Sequence, residues 1–369
     1  MPQQAADAMR PAAGTRVLEL GRHLAVASAG LVLTALGADV VQVRVRGRRM
    51  PEPEATYYDR GRQTLDADQG PDLGELASLA DVVLTDLDDA ELLATGVPND
   101  VAGLRGGPEA QVLVVVRSLG RTGPNSGFAM TDLTEWASTG LANITRRPHR
   151  DVARYVPVLP PGCQPQALAG LAASTAALVG RRWARARREA VAADVSVQEV
   201  GAALLHGVFP VFVWSGIVVG HPSTASTALG MILPAADGDV YLRTLDPRQW
   251  EALTAWVGDD AVRELGADPD IRLANNDALT LLLSQWAARW RRLELLEEGQ
   301  RRRIPIALPR SLDDVLAWQQ LRARGVWRHV EIAGIPAEAP RLPLLEPPGW
   351  PVTRPTQADV VAARWRQAT

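Results

Sequence analysis

Two carboxylates, one thiol and one histidine are the groups of this 369-residue chain whose placement could support a reaction. Asp132 and Glu135 stand three residues apart in FAMTDLTEWASTGL, a spacing that puts both on one face of a helix. Such a pair can hold and pass a proton, which is the work of general acid–base catalysis. The blander role for Asp132 is to cap the helix through its own side chain. Cys163, the single cysteine, follows a proline-containing loop in VLPPGCQPQALAGLAA and could act as a thiol nucleophile. A lone cysteine also serves as a small buried apolar residue. His23 sits in the first loop, where an imidazole could exchange protons near neutral pH; a satisfied or solvent-facing histidine is the plainer role. His149, His206, His221 and His329 are scattered without ligand spacing, and no metal site is expected. All 39 basic residues are arginine. Without lysine, Schiff-base chemistry and a lysine general base are excluded.

These groups need elements to hold them, and the hydrophobic pattern supplies an α/β order. Residues 15–20 (TRVLEL) read as a buried strand, 26–36 as a helix of small residues closed by Gly37, and 39–45 as a second strand. Strand, helix and strand in so short a stretch predict a parallel βαβ unit. A helix over 73–79 and strands over 81–84 and 111–116 extend it, and the unbroken apolar run of the last predicts a strand covered on both faces. A long helix from 166 to 188 and a strand over 193–198 follow. Residues 231–244 read as a hairpin turned by Asp237-Gly238. Residues 250–257 and 276–296 have the periodicity of amphipathic helices. From 332 onward prolines predict an extended path, before a last helix over 356–367 that could return to the first domain.

Bulk properties bound the function. Hydrophobic residues make up 47% and charged residues 22%, with a net charge of −3 and a pI near 6.0. No nucleic-acid or membrane surface is expected from that balance. The length predicts two domains. One cysteine excludes an intrachain disulfide and suits a reducing, cytoplasmic setting. The first fourteen residues lack the apolar core of a signal peptide. The apolar run over 201–219 is interrupted by His206, Pro210 and Ser215, which predicts a buried helical connector rather than a membrane span.

Laid end to end, the segments have a familiar order. RVLELGRHLAVASAGLVLTALGADVVQVRVRG resembles the opening of the family III CoA-transferases, the CaiB/BaiF type, in which a strand, a small-residue helix and LGADV recur. YYDRGRQTLDAD, ADVVLTDL, VVVRSLGRTGP, VAADVSVQEVGAALL and IPIALPRSLDDVLAWQQLRARGVW are similar to later passages of that family, in sequence order, over residues 14–355. The resemblance implies an enzyme of CoA thioesters. It implies a Rossmann-like large domain built from both termini (residues 1–205 and 330–369), with a connector and a smaller α+β domain (206–329). It also implies interlocked dimers, homodimers or heterodimers with a paralogue. Coenzyme A or an acyl-CoA would be the substrate, with no covalently bound cofactor.

The resemblance also locates a departure. The family's nucleophile is an aspartate four residues before a glycine, and counting back from Gly170 puts Gln166 there. An amide has no ionisable oxygen to form the acyl anhydride, so the standard transfer is blocked. Residues 150–174 hold a single carboxylate, Asp151. The related racemases pair that aspartate with a histidine whose place here is Thr131, so their proton-shuttling pair is missing too. Asp132 matches the acidic residue both groups share. Phosphate-binding positions correspond to Arg46, Arg62 and Arg117, all suited to bidentate contacts. Thr85, Asp86 and Leu87 replace an adenine-side Glu-Asn-Phe, and Asp86 would repel a nearby phosphate. His23 falls near the expected pantetheine. The expectation is a repurposed enzyme of acyl-CoA or a related acid derivative. The alternatives are a silent subunit of a heteromeric transferase and a biosynthetic or binding protein that no longer uses CoA.

Overall fold

Parallel strands dominate the computed structural model, which describes residues 10–47, 50–66, 73–145, 162–216, 218, 230–332, 334–342 and 351–367. Two compact units emerge, Met1–His221 with Ala323–Thr369, and Pro222–Arg322. The first is built around β1 (Arg16–Leu20), β2 (Asp39–Arg44), β3 (Gln63–Asp66), β4 (Val82–Thr85), β5 (Val112–Arg117) and β6 (Val191–Ser196). A short strand, Arg354–Pro355, adds to β3, giving a seven-stranded parallel sheet in the order Arg354–Pro355, β3, β2, β1, β4, β5, β6. The chain leaves β1 toward one edge and returns beside it with β4. That reversal is the topological switch point, where open parallel sheets hold ligands at the carboxyl ends of their strands.

Helices α1 (Leu24–Ala35), α2 (Asp89–Ala94), α3 (Asp132–Ser138), α4 (Gln164–Arg187) and α5 (Ala358–Gln367) surround that sheet. Val17, Val40, Val82 and Val114 meet α1 and α4 on one face; Leu18, Val41, Val83 and Val115 meet the helix Leu73–Leu79 and α5 on the other. Burial on both faces explains why the strands read as unbroken apolar runs. α1 is nearly all buried because α4 covers its outer side. Glycine makes this close approach workable: a Cβ on Gly170 would sit 2.6 Å from the Ala25 carbonyl oxygen. The C-terminal helix docks through Trp365, whose Nε1 donates to Asp39 at 2.7 Å, as the return of the last segment predicts.

Under α1 lies a buried polar network. Glu19 of β1 accepts from Gln42 Nε2 at 2.8 Å and from Arg62, which also bonds the Tyr58 carbonyl and reaches Asp59 at 3.2 Å. Gly30 leaves the room, since a Cβ there would fall onto the Glu19 carboxylate. Desolvation raises the Glu19 pKa, and the Arg62 charge opposes that shift.

Several expected boundaries shift for physical reasons. The strand expected over 193–198 ends at Ser196, whose side chain caps the next helix, Val197–Ala203. The described part of the run over 201–219 is not buried within the chain: Leu204, Phe209, Phe212, Val213 and Trp214 are exposed, and it folds as short helical pieces, Leu204–Gly207 and Phe209–Ser215. The helix expected over 276–296 breaks into Asn276–Ala287 and Arg292–Arg301. The proline-rich segment is not wholly irregular. Trp327–Ile332 and Ile335–Pro340 form a two-stranded antiparallel hairpin, where the prolines are tolerated because every strand is an edge. Residues 343–350 lie outside the described residues.

The second unit pairs β7 (Gly230–Ala235) with β8 (Gly238–Arg243), and β8 with β9 (Ile306–Ala307), all antiparallel. Its core gathers Leu233, Leu242, Trp250, Leu283, Trp286 and Leu295. Gly238, at φ 132, makes the expected turn. Among the described residues no helix is long and apolar enough to cross a membrane.

Candidate functional site

The start of α4 gathers most of the expected chemistry. Pro165 in the first turn suits a helix start, because its missing N–H would be unpaired there anyway. The chain enters through Gly162 and then Cys163, a non-glycine residue held at φ 48 and ψ 48. Such left-handed backbone is uncommon for a side chain with a Cβ and is frequent near functional sites.

Gln166 is buried and its amide is held on both sides. Its Oε1 accepts from the Leu24 N–H at 3.2 Å, satisfying one of the orphan donors in the first turn of α1. Its Nε2 donates to Glu135 Oε2 at 2.7 Å. The other Glu135 oxygen accepts from Ser118 Oγ at 2.6 Å. The result is a chain of hydrogen bonds, Ser118–Glu135–Gln166–Leu24, joining the end of β5 to α3, α4 and α1. An amide fits between a backbone donor and a carboxylate because it both accepts and donates. A carboxylate at position 166 would set two like charges together. Ser118 carries no signal in the sequence beyond its place just after a buried strand.

Asp132 does not cap its helix. Thr131 is the cap, and it exchanges hydrogen bonds with Thr134 in a capping box. The Asp132 side chain is therefore released from that duty. The Cys163 thiol donates to it, while its Oδ1 has no hydrogen-bond partner among the described residues. Desolvation raises the Asp132 pKa, and the Cys163 hydrogen bond opposes the rise. The thiol is pushed up to about 11, first by burial and then by the Asp132 charge. Cys163 is thus a protonated donor near neutral pH and a poor nucleophile.

His23 is brought near this group only through its neighbour, since Leu24 bonds Gln166. Its backbone N–H donates to Asp86 Oδ2 at 2.7 Å, and its side chain is exposed. The three expected phosphate-side arginines are not brought together. Arg62 is inside the core with Glu19 and Asp59. Arg117 donates to the Leu87 carbonyl at 2.7 Å and pairs with Asp89 at 3.2 Å. Arg46 is exposed, and its carbonyl accepts from Arg22 Nε at 2.6 Å. Among the described residues no three His, Cys, Asp or Glu side chains gather as a metal site; His149, Asp151 and His221 lie outside them.

Comparisons with known proteins point to one family by sequence and to its fold by structure. The sequence matches CoA-transferase family III over residues 13–352. It is 25% identical over 346 residues to a succinate–glutarate CoA-transferase of Agrobacterium fabrum, covering 86% of this chain and 84% of that protein. In structure it is similar to a CAIB/BAIF family protein from Brucella suis, with a TM-score of 0.72 and 23% identity over 97% of this chain and 99% of the other. Rv3272 from M. tuberculosis matches with a TM-score of 0.75 and 20% identity, over 94% and 96% of the two chains.

Proposed function

Since this chain belongs to CoA-transferase family III, we propose that it is a repurposed enzyme of that scaffold, acting on an acyl-CoA or a related carboxylic acid derivative without an acyl-enzyme intermediate. The observation behind this reading is the amide of Gln166, fixed between Leu24 and Glu135. It offers a carbonyl its second N–H and offers no oxygen that could become an anhydride. Asp132 takes over the chemistry. Its carboxyl holds a proton more tightly than usual, and one of its oxygens has no hydrogen-bond partner among the described residues, as suits a general acid–base. In this reading Asp132 removes a proton from the carbon next to the substrate carbonyl and returns it, while Cys163 orients the carboxylate. The protein works as a homodimer, a reading supported by the exposed apolar side of Phe209–Ser215.

Proton exchange tests this. Acyl-CoA and simpler thioesters incubated in deuterated water should gain deuterium at the α-carbon, followed by NMR. Asp132→Asn should slow the exchange by about 100-fold or more, the usual worth of a general base. Equal exchange in the two proteins, or rapid CoA transfer between acids by the wild type, contradicts the reading.

A second reading has its own observation. The closed Ser118–Glu135–Gln166 chain is also what a silent subunit would keep for stability, its partner being a paralogue with an intact aspartate. Purification with the product of a neighbouring family III coding sequence as a stable heteromer, together with no proton exchange by this chain alone, would favour it.

A further inference from the structure

The carboxyl ends of β1 and β4 are the place where a parallel sheet receives the charged end of a ligand, because free amides of the following loop point outward there. In this chain those amides are occupied. Asp86, just past β4, accepts the Arg22 N–H on both carboxylate oxygens, at 3.0 and 2.9 Å, and the His23 N–H at 2.7 Å. The guanidinium groups around it are engaged as well. Arg22 forks onto Glu91 at 2.9 and 2.7 Å. Arg117 and Arg121 both reach Asp89, at 3.2 and 3.1 Å. Asp88 adds a fourth carboxylate, capping α2. Asp86, Asp88, Asp89 and Glu91 thus face Arg22, Arg117 and Arg121, and each of those forks already has a carboxylate.

We propose that Asp86 is a specificity determinant that keeps phosphate out of this end of the site. Its carboxylate takes the place an anionic ligand would need, and its charge repels one that approaches. The substrate is then an acyl derivative whose group at this end is uncharged or cationic. This rests on the reading that the protein handles an acyl derivative, and it selects the nucleotide-free class within it.

Calorimetric titration with ADP and with inorganic pyrophosphate tests the assignment. The wild type should bind both weakly. Asp86→Asn keeps the shape and removes the charge, and should bind ADP about tenfold tighter or more. That gain should shrink as salt is added. Equal affinity in the two proteins overturns the proposal, whether both bind or neither does. If Asp86→Asn does not fold, Asp86→Ser serves in its place. It removes the charge and keeps an acceptor for the loop amides, and should raise ADP affinity several-fold; no change overturns the proposal. A pantetheine thioester separates this from the acid–base reading. Absent α-proton exchange on that probe, with ADP binding still gained in Asp86→Asn, removes the acid–base role of Asp132 and leaves the assignment of Asp86 standing.

Discussion

Two polar clusters, one fully enclosed around Glu19 and one partly buried around Glu135, are built in opposite ways. Around Glu19, charges of both signs are enclosed together: Arg62 lies between Glu19 and Asp59, and Gln42 bridges the two carboxylates. Around Glu135 there are two carboxylates, an amide, a hydroxyl and a thiol. Among the described residues, the Glu135 and Gln166 side chains bond no guanidinium, and one Asp132 oxygen has no partner. Compensated charge holds a fold in place. Uncompensated acidity is costly to bury and is retained where a proton must be held or moved.

Substitutions break this contrast in a graded way. Arg62→Met should have the largest effect on stability, about 3–5 kcal/mol by urea denaturation, because it leaves Glu19 and Asp59 buried without their cation. Gln166→Glu should cost about 1–3 kcal/mol at neutral pH by losing a donor to Glu135 and adding a like charge. That loss should shrink at low pH, where one carboxyl of the new pair takes a proton.

Asp132→Asn should act on the pH profile of thermal unfolding. The folded Asp132 carboxyl has a raised pKa, so the folded state binds more protons than the unfolded one between the ordinary and the raised value. Stability from this group is therefore present at low pH and lost as pH rises through that window. The asparagine variant should lack this part of the slope. The smallest change is chemical. With the thiol at about 11, iodoacetamide at pH 8 should modify Cys163 on the order of a hundredfold more slowly in the folded protein than in urea. Asp132→Asn should narrow that gap.

The parallel sheet was legible in the sequence because strands covered on both faces leave continuous apolar runs, as in VLVVVR of β5; its order, and the polar strand Gln63–Asp66, were not. Gln166 was singled out by counting back from Gly170, a step that needs no coordinates. What the amide does there was not legible. Its partners Leu24, Glu135 and Ser118 come from three separate stretches, and hydrogen bonding across them leaves no periodic trace. Thr131 as the cap was hidden because Thr and Asp both cap well, and only backbone geometry says which does. The burial of Arg62 was hidden because arginine usually marks surface. The space for it comes from Gly30 of α1, more than thirty residues earlier in the chain.

The most direct test is intact-mass spectrometry of the wild type after incubation with an acyl-CoA or an acyl-pantetheine and a carboxylic acid acceptor, with hydroxylamine as a trap. A locked amide at position 166 predicts no acyl or CoA adduct at any time point. An adduct on the wild-type chain that hydroxylamine removes would contradict the account, because it would show a side chain, carboxylate or thiol, acting as the nucleophile that Gln166 cannot be.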